Sequence, residues 1–340
     1  MGRETFKKVI TSDELISQIN PKNTKMVERF LKDKNTRCSD TTIKNYQSDA
    51  NIFFVWNLQQ NENKFFVDIK KIEFADFFNY AVEELQWGSA RFARMKSFLS
   101  SFSDFIEKYF SDDYPQFRNV ILKVIENMPR QAVREKSVFT QEEIDGLMNY
   151  LENEKHNLQE ACLLALAISS GARVSEWLRF TTDIIDVNNT AFGDIFIETT
   201  KKIKTKGRTK TGKVVEKYLI KDIFVPRYEA WMKQRAKIME RTGQNHNSLF
   251  IKKDGTPATI YTIRAWIKKW DRFLEKPFYP HALRHYTCTH LAKLGASSEL
   301  IVEIFKWSSV DMVSIYNDIS AKEREWKELD KLKDGLIKKE

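Results

Sequence analysis

The sequence predicts a mainly α-helical protein in two parts: an N-terminal helical bundle and a larger mixed α/β domain holding one small antiparallel sheet. Three observations carry that prediction. From Met26 to Phe110 apolar residues recur at three- and four-residue steps, with a single glycine, Gly88, and no proline. A polar, basic stretch from Asn127 to Ser137 interrupts the pattern. Beyond it, two short segments rich in β-branched residues, Ile195 to Ile197 and Val214 to Ile220, stand in an otherwise helical texture.

Taken in order, residues 1–23 are polar and read as a short extension, an arm or a cap. The bundle occupies residues 24–126. In TTIKNYQSDANIFFVWNL, Ile43, Tyr46, Ala50, Phe53 and Phe54 fall on one helical face, with Asp40 or Thr41 as the cap. In SARFARMKSFLSSFSDFIEKYF the buried stripe is Phe92, Met95, Phe98, Leu99, Phe102, Phe105 and Ile106, while Arg91, Arg94 and Lys96 lie on or beside the opposite face. Residues 127–137 read as a linker, after which Thr140 and Glu143 form a capping box that opens the second domain, residues 138–320. Helices are expected over Gln141 to Glu152 and Asn157 to Ile168, then the strands, then helices again after Phe224. In the tail, residues 321–340, Trp326, Leu329, Leu332 and Leu336 make a helical stripe.

A chain of 340 residues is too long for one ordinary core, which supports two domains. With 42% apolar and 30% charged residues it has the composition of a soluble globular protein. Its net charge of +9 leans towards a polyanionic partner without requiring one. Cys38, Cys162 and Cys288 are scattered, with no CxxC pair, as in reduced intracellular proteins. The N-terminus has no signal-peptide core, Phe6 breaks the myristoylation pattern, and the longest apolar run, Ala161 to Ile168, is far too short for a membrane span. The expectation is a soluble, cytoplasmic protein.

Four places in the second domain are candidates for chemistry. In SSGARVSEWL an apolar helix stops at Gly171 and another starts at once, so Arg173 lies at a helix N-terminus. Backbone N–H groups and the dipole already favour an anion there, so a cation at that end points to a bound phosphate. The plain alternative is a surface arginine paired with Glu176. Lys201 to Lys221 holds nine Lys or Arg and one acid, Glu216. Most charge runs are simply solvated, but between two strands such a loop suits a phosphate backbone. In PHALRHY, Pro280 suits a helix start, Leu283, Leu291 and Leu294 supply a core stripe before Gly295, and His281 and Arg284 are neighbours on one face. His281 and His285 have the i, i+4 spacing of a metal pair, yet the glutamate of HExxH is missing and Arg284 points into the same region, so no metal is expected. The fourth place is FKWSS, followed by Val310 to Ser320 with Tyr316; a tyrosine on an amphipathic helix is usually core or interface.

Together, in this order and spacing, these segments resemble the tyrosine recombinase (phage integrase) family. GARVSEWL resembles its first box, an arginine after a Gly-containing turn with a glutamate three residues on. HALRHYTCTHLAKLG resembles its second, HxxRH running into a Thr-His-Leu helix that ends at glycine. A His or Trp then precedes the nucleophilic tyrosine by nine residues, as Trp307 precedes Tyr316. The hairpin GRTKTGKVVEKYLI is similar to that of Cre-type members and aligns the family's catalytic lysine with Lys210. Most members have Leu-Gly-His where this chain has Phe-Lys-Trp; the tryptophan is another Cre-like feature. The resemblance covers about Thr140 to Ser320 and, more loosely, the helical bundle, which is similar to the family's core-binding domain. The separate arm-binding domain of lambda-type members is not expected.

The resemblance implies an enzyme that cuts and rejoins DNA strands. Arg173 and Arg284 would clamp the non-bridging oxygens of the scissile phosphate. Tyr316 would attack phosphorus to form a 3′-phosphotyrosine, with Lys210 protonating the departing 5′ oxygen. His281 would hydrogen-bond the phosphate and assist transfer of the tyrosine proton, Trp307 would donate its indole N–H or buttress the tyrosine helix, and Glu176 and His285 would orient the arginines. Lys44, Arg91, Arg94 and Lys96 of the bundle and Lys204, Lys206 and Arg208 of the hairpin are the expected DNA contacts. The covalent bond conserves the phosphodiester's energy, so no cofactor, ATP or metal is expected. The implied partners are double-stranded DNA with a specific target site and three further copies of the chain, monomeric in solution and tetrameric on synapsed DNA. The tail would dock on a neighbouring copy or on its own domain. A type IB topoisomerase would share the chemistry without site specificity or tetramers, and the helical bundle and tail speak against it. A non-catalytic DNA-binding regulator explains the basic patches but not six aligned catalytic positions. A metal-dependent nuclease lacks its acidic cluster.

Overall fold

The computed structural model describes residues 8–129, 139–205, 212–307 and 309–316. The chain divides into two compact units, one formed by residues up to 135 and the other by most of residues 136–340. Among the described residues no helix is long and apolar enough to cross a membrane.

The first unit is helical: α1 (Asp13–Ser17), α2 (Pro21–Asn35), α3 (Asp40–Gln60), α4 (Lys71–Glu83), α5 (Ser89–Tyr109) and α6 (Ile121–Val124). Pro21 occupies the first position of α2, where its missing N–H removes nothing from the helix, and the Asn20 side chain caps it. The cap of α3 is Ser39, one residue before the Asp40 or Thr41 expected; its Oγ accepts from the Thr42 N–H. The stripe expected on α5 is buried throughout, as are Ala50, Phe53 and Phe54 of α3. Phenylalanine dominates this core. The rings of Phe66 and Phe102 meet edge-on at 4.8 Å and those of Phe53 and Phe77 at 4.9 Å, and each such pair contributes about 0.5–1.5 kcal/mol beyond area burial. Residues assigned to the polar extension also take part. Ile19 is buried, and the fully buried Asn23 amide donates to the Lys64 carbonyl and accepts from the Phe66 N–H, both at 2.8 Å.

The second unit opens with α7 (Gln141–Asn149) on the expected capping box: Thr140 N–H donates to Glu143, and Glu143 N–H donates to the Thr140 hydroxyl. A π-helical turn over Tyr150–Glu154 follows, then α8 (Leu158–Ser170) and α9 (Val174–Trp177). Every residue of α8 from Glu160 onward is buried, so the apolar run Ala161 to Ile168 is a core helix surrounded on all faces. The strands are β1 (Thr190–Ala191), β2 (Phe196–Glu198), β3 (Ile203–Thr205), β4 (Lys213–Val215) and β5 (Tyr218–Ile220), all paired antiparallel. They form a three-stranded sheet in the order β1-β2-β5 and a separate hairpin β3-β4. The run expected as one strand from Val214 to Ile220 is thus broken at Glu216 and Lys217. Helices complete the unit: α10 (Lys221–Thr242), α11 (Ile260–Lys268), α12 (Trp270–Leu274), α13 (Pro280–Lys293), α14 (Ser298–Phe305) and α15 (Asp311–Tyr316). On α13 Leu283 is buried and Leu291 half-buried, but Leu294 is exposed: it sits at the helix C-cap, where the stripe has outrun the core it packs on.

Candidate active site

The end of α8 sets the first part of the site. Gly171 adopts φ +53°, a left-handed conformation that stops the helix, and a Cβ there would lie 2.6 Å from the Phe305 ring. Arg173 follows as the N-cap of α9. Glu176, at the third position of that helix, accepts from the Arg173 backbone N–H at 3.1 Å and from its Nη1 at 3.2 Å. The Trp177 indole N–H donates to the Ala172 carbonyl at 3.1 Å and locks the turn from beneath. The ion pair weighed against a phosphate site is therefore present, but it is no surface pair. Glu176 is completely buried, while the Arg173 side chain stays partly exposed.

Arg284 comes to the same place from α13. It is buried, its Nη1 donates to the Gly171 carbonyl at 2.6 Å, and its guanidinium lies over the Trp307 ring. Trp307 is placed by the end of α14, where Lys306 takes a left-handed turn (φ 52°). One turn beyond Arg284, Cys288 has its Sγ 4.0 Å from the Val313 carbonyl of α15. Cys288, Ile304, Phe305, Trp307 and Val313 share one apolar cluster. The face of α13 that carries Arg284 is thus the one on which the Tyr316 helix packs, and Tyr316 is that helix's last residue. His281, in the first turn of α13, is exposed, and His285 is buried beside Arg284.

A third cation completes the cluster. Lys217, between β4 and β5, is buried, with Nζ 3.7 Å from Glu176 and donating to the Phe305 carbonyl at 2.8 Å. Burial pushes its pKa down to about 8; Glu176 pulls it back up, while Arg284 and Arg173 push it further down. Burial alone would raise the Glu176 carboxyl, but Lys217 and Arg173 outweigh it and hold the group below the usual carboxylate range. One buried carboxylate among three cations leaves a local excess of positive charge, and two of those cations are planar forks suited to a tetrahedral anion.

Of the residues expected from sequence, Arg173, Glu176, Arg284 and Trp307 meet in this cluster. Lys210, Lys206 and Arg208 lie outside the described residues, as do most of the linker and the whole tail. Lys204 is exposed on β3 and Lys44 on α3. Arg91 and Arg94 both pair with the fully buried Asp49, Arg94 at 2.8 Å, and Arg91 also lies 4.4 Å over Trp87. The expected place of Lys96 on an exposed basic flank is corrected: it is buried, with Nζ donating to Asn127 at 3.0 Å. Tyr286, two positions from Arg284, faces the other side of α13. Its hydroxyl donates to Gln141, burial pushes its pKa up, and it lines a cavity of about 110 Å³ with Asp145, Arg227 and His290. Sequence reasoning missed Asp49 and Lys217. Asp49 lies three residues after Tyr46 and four before Phe53, on the buried face, and that spacing was a usable signal. Lys217 is one of nine basic residues in its segment, with nothing local to set it apart.

Comparison with known proteins places this arrangement. The model of the Phage integrase family matches residues 137–323, more than half of the chain. The tyrosine recombinase XerD of Halalkalibacterium halodurans is 24% identical over 245 residues, covering 71% of this chain and 75% of that protein. The tyrosine recombinase XerC of Listeria monocytogenes is 25% identical over 196 residues, 56% of this chain and 60% of that protein. In fold the chain is similar to the Tn1549 transposon integrase in complex with a circular intermediate DNA (TM-score 0.64, 15% identity, 91% of this chain and 99% of that one). It is also similar to a lambda integrase tetramer bound to a Holliday junction (TM-score 0.59, 16% identity, 87% and 77%). On the extent of the family match, the chain belongs to the phage integrase family.

Proposed function

We propose that the chain is a site-specific DNA recombinase that cuts and rejoins strands through a 3′-phosphotyrosine on Tyr316. The observation that carries this reading is the clustering of Arg173, on the buried Glu176 carboxylate, with Arg284, on the nearby Gly171 carbonyl and against Trp307, while the Tyr316 helix packs on the face of α13 that bears Arg284. The two guanidiniums hold the non-bridging oxygens and stabilise the charge that builds on them; removing one such donor lowers a rate by about 10²–10³. Tyr316 attacks phosphorus, the P–O5′ bond breaks, and Lys210 gives its proton to the departing 5′ oxygen. His281 takes up the tyrosine proton, while Glu176 and His285 hold the arginines. Attack by a 5′-hydroxyl from another strand reverses the step and joins the recombinant product. The bond energy is kept in the phosphotyrosine, so the exchange runs without ATP.

The named activities of the XerD and XerC relatives and the DNA complexes among the structural neighbours support this reading. The partner is double-stranded DNA carrying a specific site, bound by the first unit as a core-binding domain and the second as the catalytic domain. Four copies on synapsed DNA fit the tetrameric state of the lambda integrase neighbour. The location is cytoplasmic. The test is a nicked duplex carrying the DNA that flanks the chain's own gene, whose release of a short fragment traps the covalent intermediate. Wild type is expected to form a denaturation-resistant protein–DNA adduct and Tyr316→Phe none. An adduct from the phenylalanine variant would remove Tyr316 as nucleophile. Relaxation of supercoiled DNA lacking any site would favour a topoisomerase instead.

A further inference from the structure

The proposed chemistry uses two arginines, a lysine outside the described residues, and Tyr316; it makes no use of Lys217, the third buried or partly buried cation of the cluster. Lys217 is 2% exposed and neighbours Val215, Tyr218 and Leu219, all buried. An apolar side chain would suit that position, because a buried ammonium is costly unless tightly partnered. Its partners come from two distant parts of the chain. Glu176 belongs to the Arg173 turn, and the Phe305 carbonyl belongs to the last turn of α14. Carbonyls at a helix C-terminus lack intrahelical donors and sit at the negative end of the dipole, so an ammonium is a matched partner there. The next residues after Phe305 are Lys306, in its left-handed turn, and Trp307, which lies against Arg284. The same two parts touch again where the Phe305 ring fills the space beside Gly171.

We propose that Lys217 is a positioning residue for strand cleavage: its ammonium ties Glu176 to the end of α14, fixing the Trp307 segment and the start of the Tyr316 helix relative to Arg173 and Arg284. The inference rests on the recombinase reading. Lys217 is sealed beneath the cluster and spends its donors on protein oxygens, so it acts through its neighbours and not on the phosphate. Its depressed pKa, near 8, fits a charge held in place by geometry at some expense, with Glu176, Arg173 and Arg284 as the charged groups that face it.

The test compares Lys217→Met and Lys217→Arg with wild type in the full chain, on the nicked duplex carrying the gene's own flanking DNA. Three quantities are read: equilibrium binding by mobility shift, single-turnover adduct formation, and melting temperature. A second duplex carries sulfur in place of the 5′-bridging oxygen, a leaving group that needs no proton. Binding by Lys217→Met is expected within about twofold of wild type, while its adduct rate falls about ten- to hundredfold, the scale of a small misplacement of reacting groups. Lys217→Arg is expected to recover much of that loss, and the sulfur substrate is not expected to rescue Lys217→Met. A wild-type adduct rate in folded Lys217→Met overturns the proposal. Rescue by sulfur also overturns it, because Lys217 would then be a proton donor. If Lys217→Met does not fold, Lys217→Gln decides, since its amide can still donate to the Phe305 carbonyl. A fully active Lys217→Gln, or failure of both neutral variants to fold, makes the lysine merely structural. Absence of any adduct from wild type while Tyr316 is intact counts against the recombinase reading itself and is seen before any variant is compared.

Discussion

The guanidinium of Arg284 lies over the indole of Trp307, 4.0 Å from the ring centroid, while its Nη1 donates to the Gly171 carbonyl at 2.6 Å. Trp307 thus holds one of the proposed phosphate ligands from behind. A desolvated cation–π contact is worth about 2 kcal/mol, so Trp307→Ala is expected to slow adduct formation by roughly ten- to thirtyfold. Trp307→Phe keeps a π-face and should lose only a few-fold. Arg284→Lys keeps the charge but not the fork, and should lose about a hundredfold or more. Single-turnover cleavage of the nicked duplex measures all three; equal rates for Trp307→Ala and wild type would dismiss the stacking role.

Gly171 is held by conformation and by space. Alanine there meets φ +53° and would bring a Cβ within 2.6 Å of the Phe305 ring. Left-handed backbone costs about 1–2 kcal/mol and overpacking a further 1–3. Urea unfolding of Gly171→Ala should show a loss of roughly 2–5 kcal/mol, part of it recovered when Phe305→Leu is added. Simple additivity of the two substitutions would show that the ring contact does not matter.

Lys217 gives stability a definite dependence on alkaline pH. Its folded pKa is pushed down to about 8 from the ordinary 10.5. Below pH 8 both folded and unfolded chains hold the proton and the burial penalty stands in full. Between about pH 8 and 10.5 the unfolded chain keeps a proton that the folded chain has released, so this group's contribution rises with pH. The whole span is worth about 3 kcal/mol. Denaturant unfolding at several pH values should show wild type gaining on Lys217→Met across that window. A difference independent of pH would contradict the depressed pKa.

Asp49 is a fully buried carboxylate held by Arg91 and Arg94 of the next long helix. Asp49→Asn keeps its shape and removes its charge, leaving two guanidiniums facing each other. Breaking a buried pair typically costs about 3–5 kcal/mol, and partial exposure of the arginines places this one near 2–3. Thermal unfolding of the variant tests it.

Lys44 and Lys96 should separate surface from core. Lys44 is exposed, and if it meets a phosphate then Lys44→Ala lowers the slope of log affinity against log salt by about one. Lys96 is buried on Asn127, so Lys96→Ala should leave that slope unchanged and lower stability instead. The reverse pattern in salt-titrated mobility shifts would return Lys96 to the DNA-binding face.

Much of this protein is legible in its sequence, because local rules wrote it. The stripes on α3 and α5, the Thr140–Glu143 capping box, the proline that opens α13 and the glycine that ends α8 follow from periodicity and chain-end chemistry within a turn or two. The ordered boxes at Arg173, His281–Arg284 and Trp307–Tyr316 were equally visible, and they carried the resemblance to the family. The tertiary structure decided matters that depend on distant partners. Lys217 is separated by 88 residues from the carbonyl it serves, and Asp49 by 42 from Arg91. Nothing nearby in sequence tells a buried, partnered charge from a solvated one, since the difference lies in which carboxylate or carbonyl the fold brings alongside. The same holds for Lys96 and Leu294, whose helical positions are clear from spacing while their exposure is set by where the opposing core begins and ends.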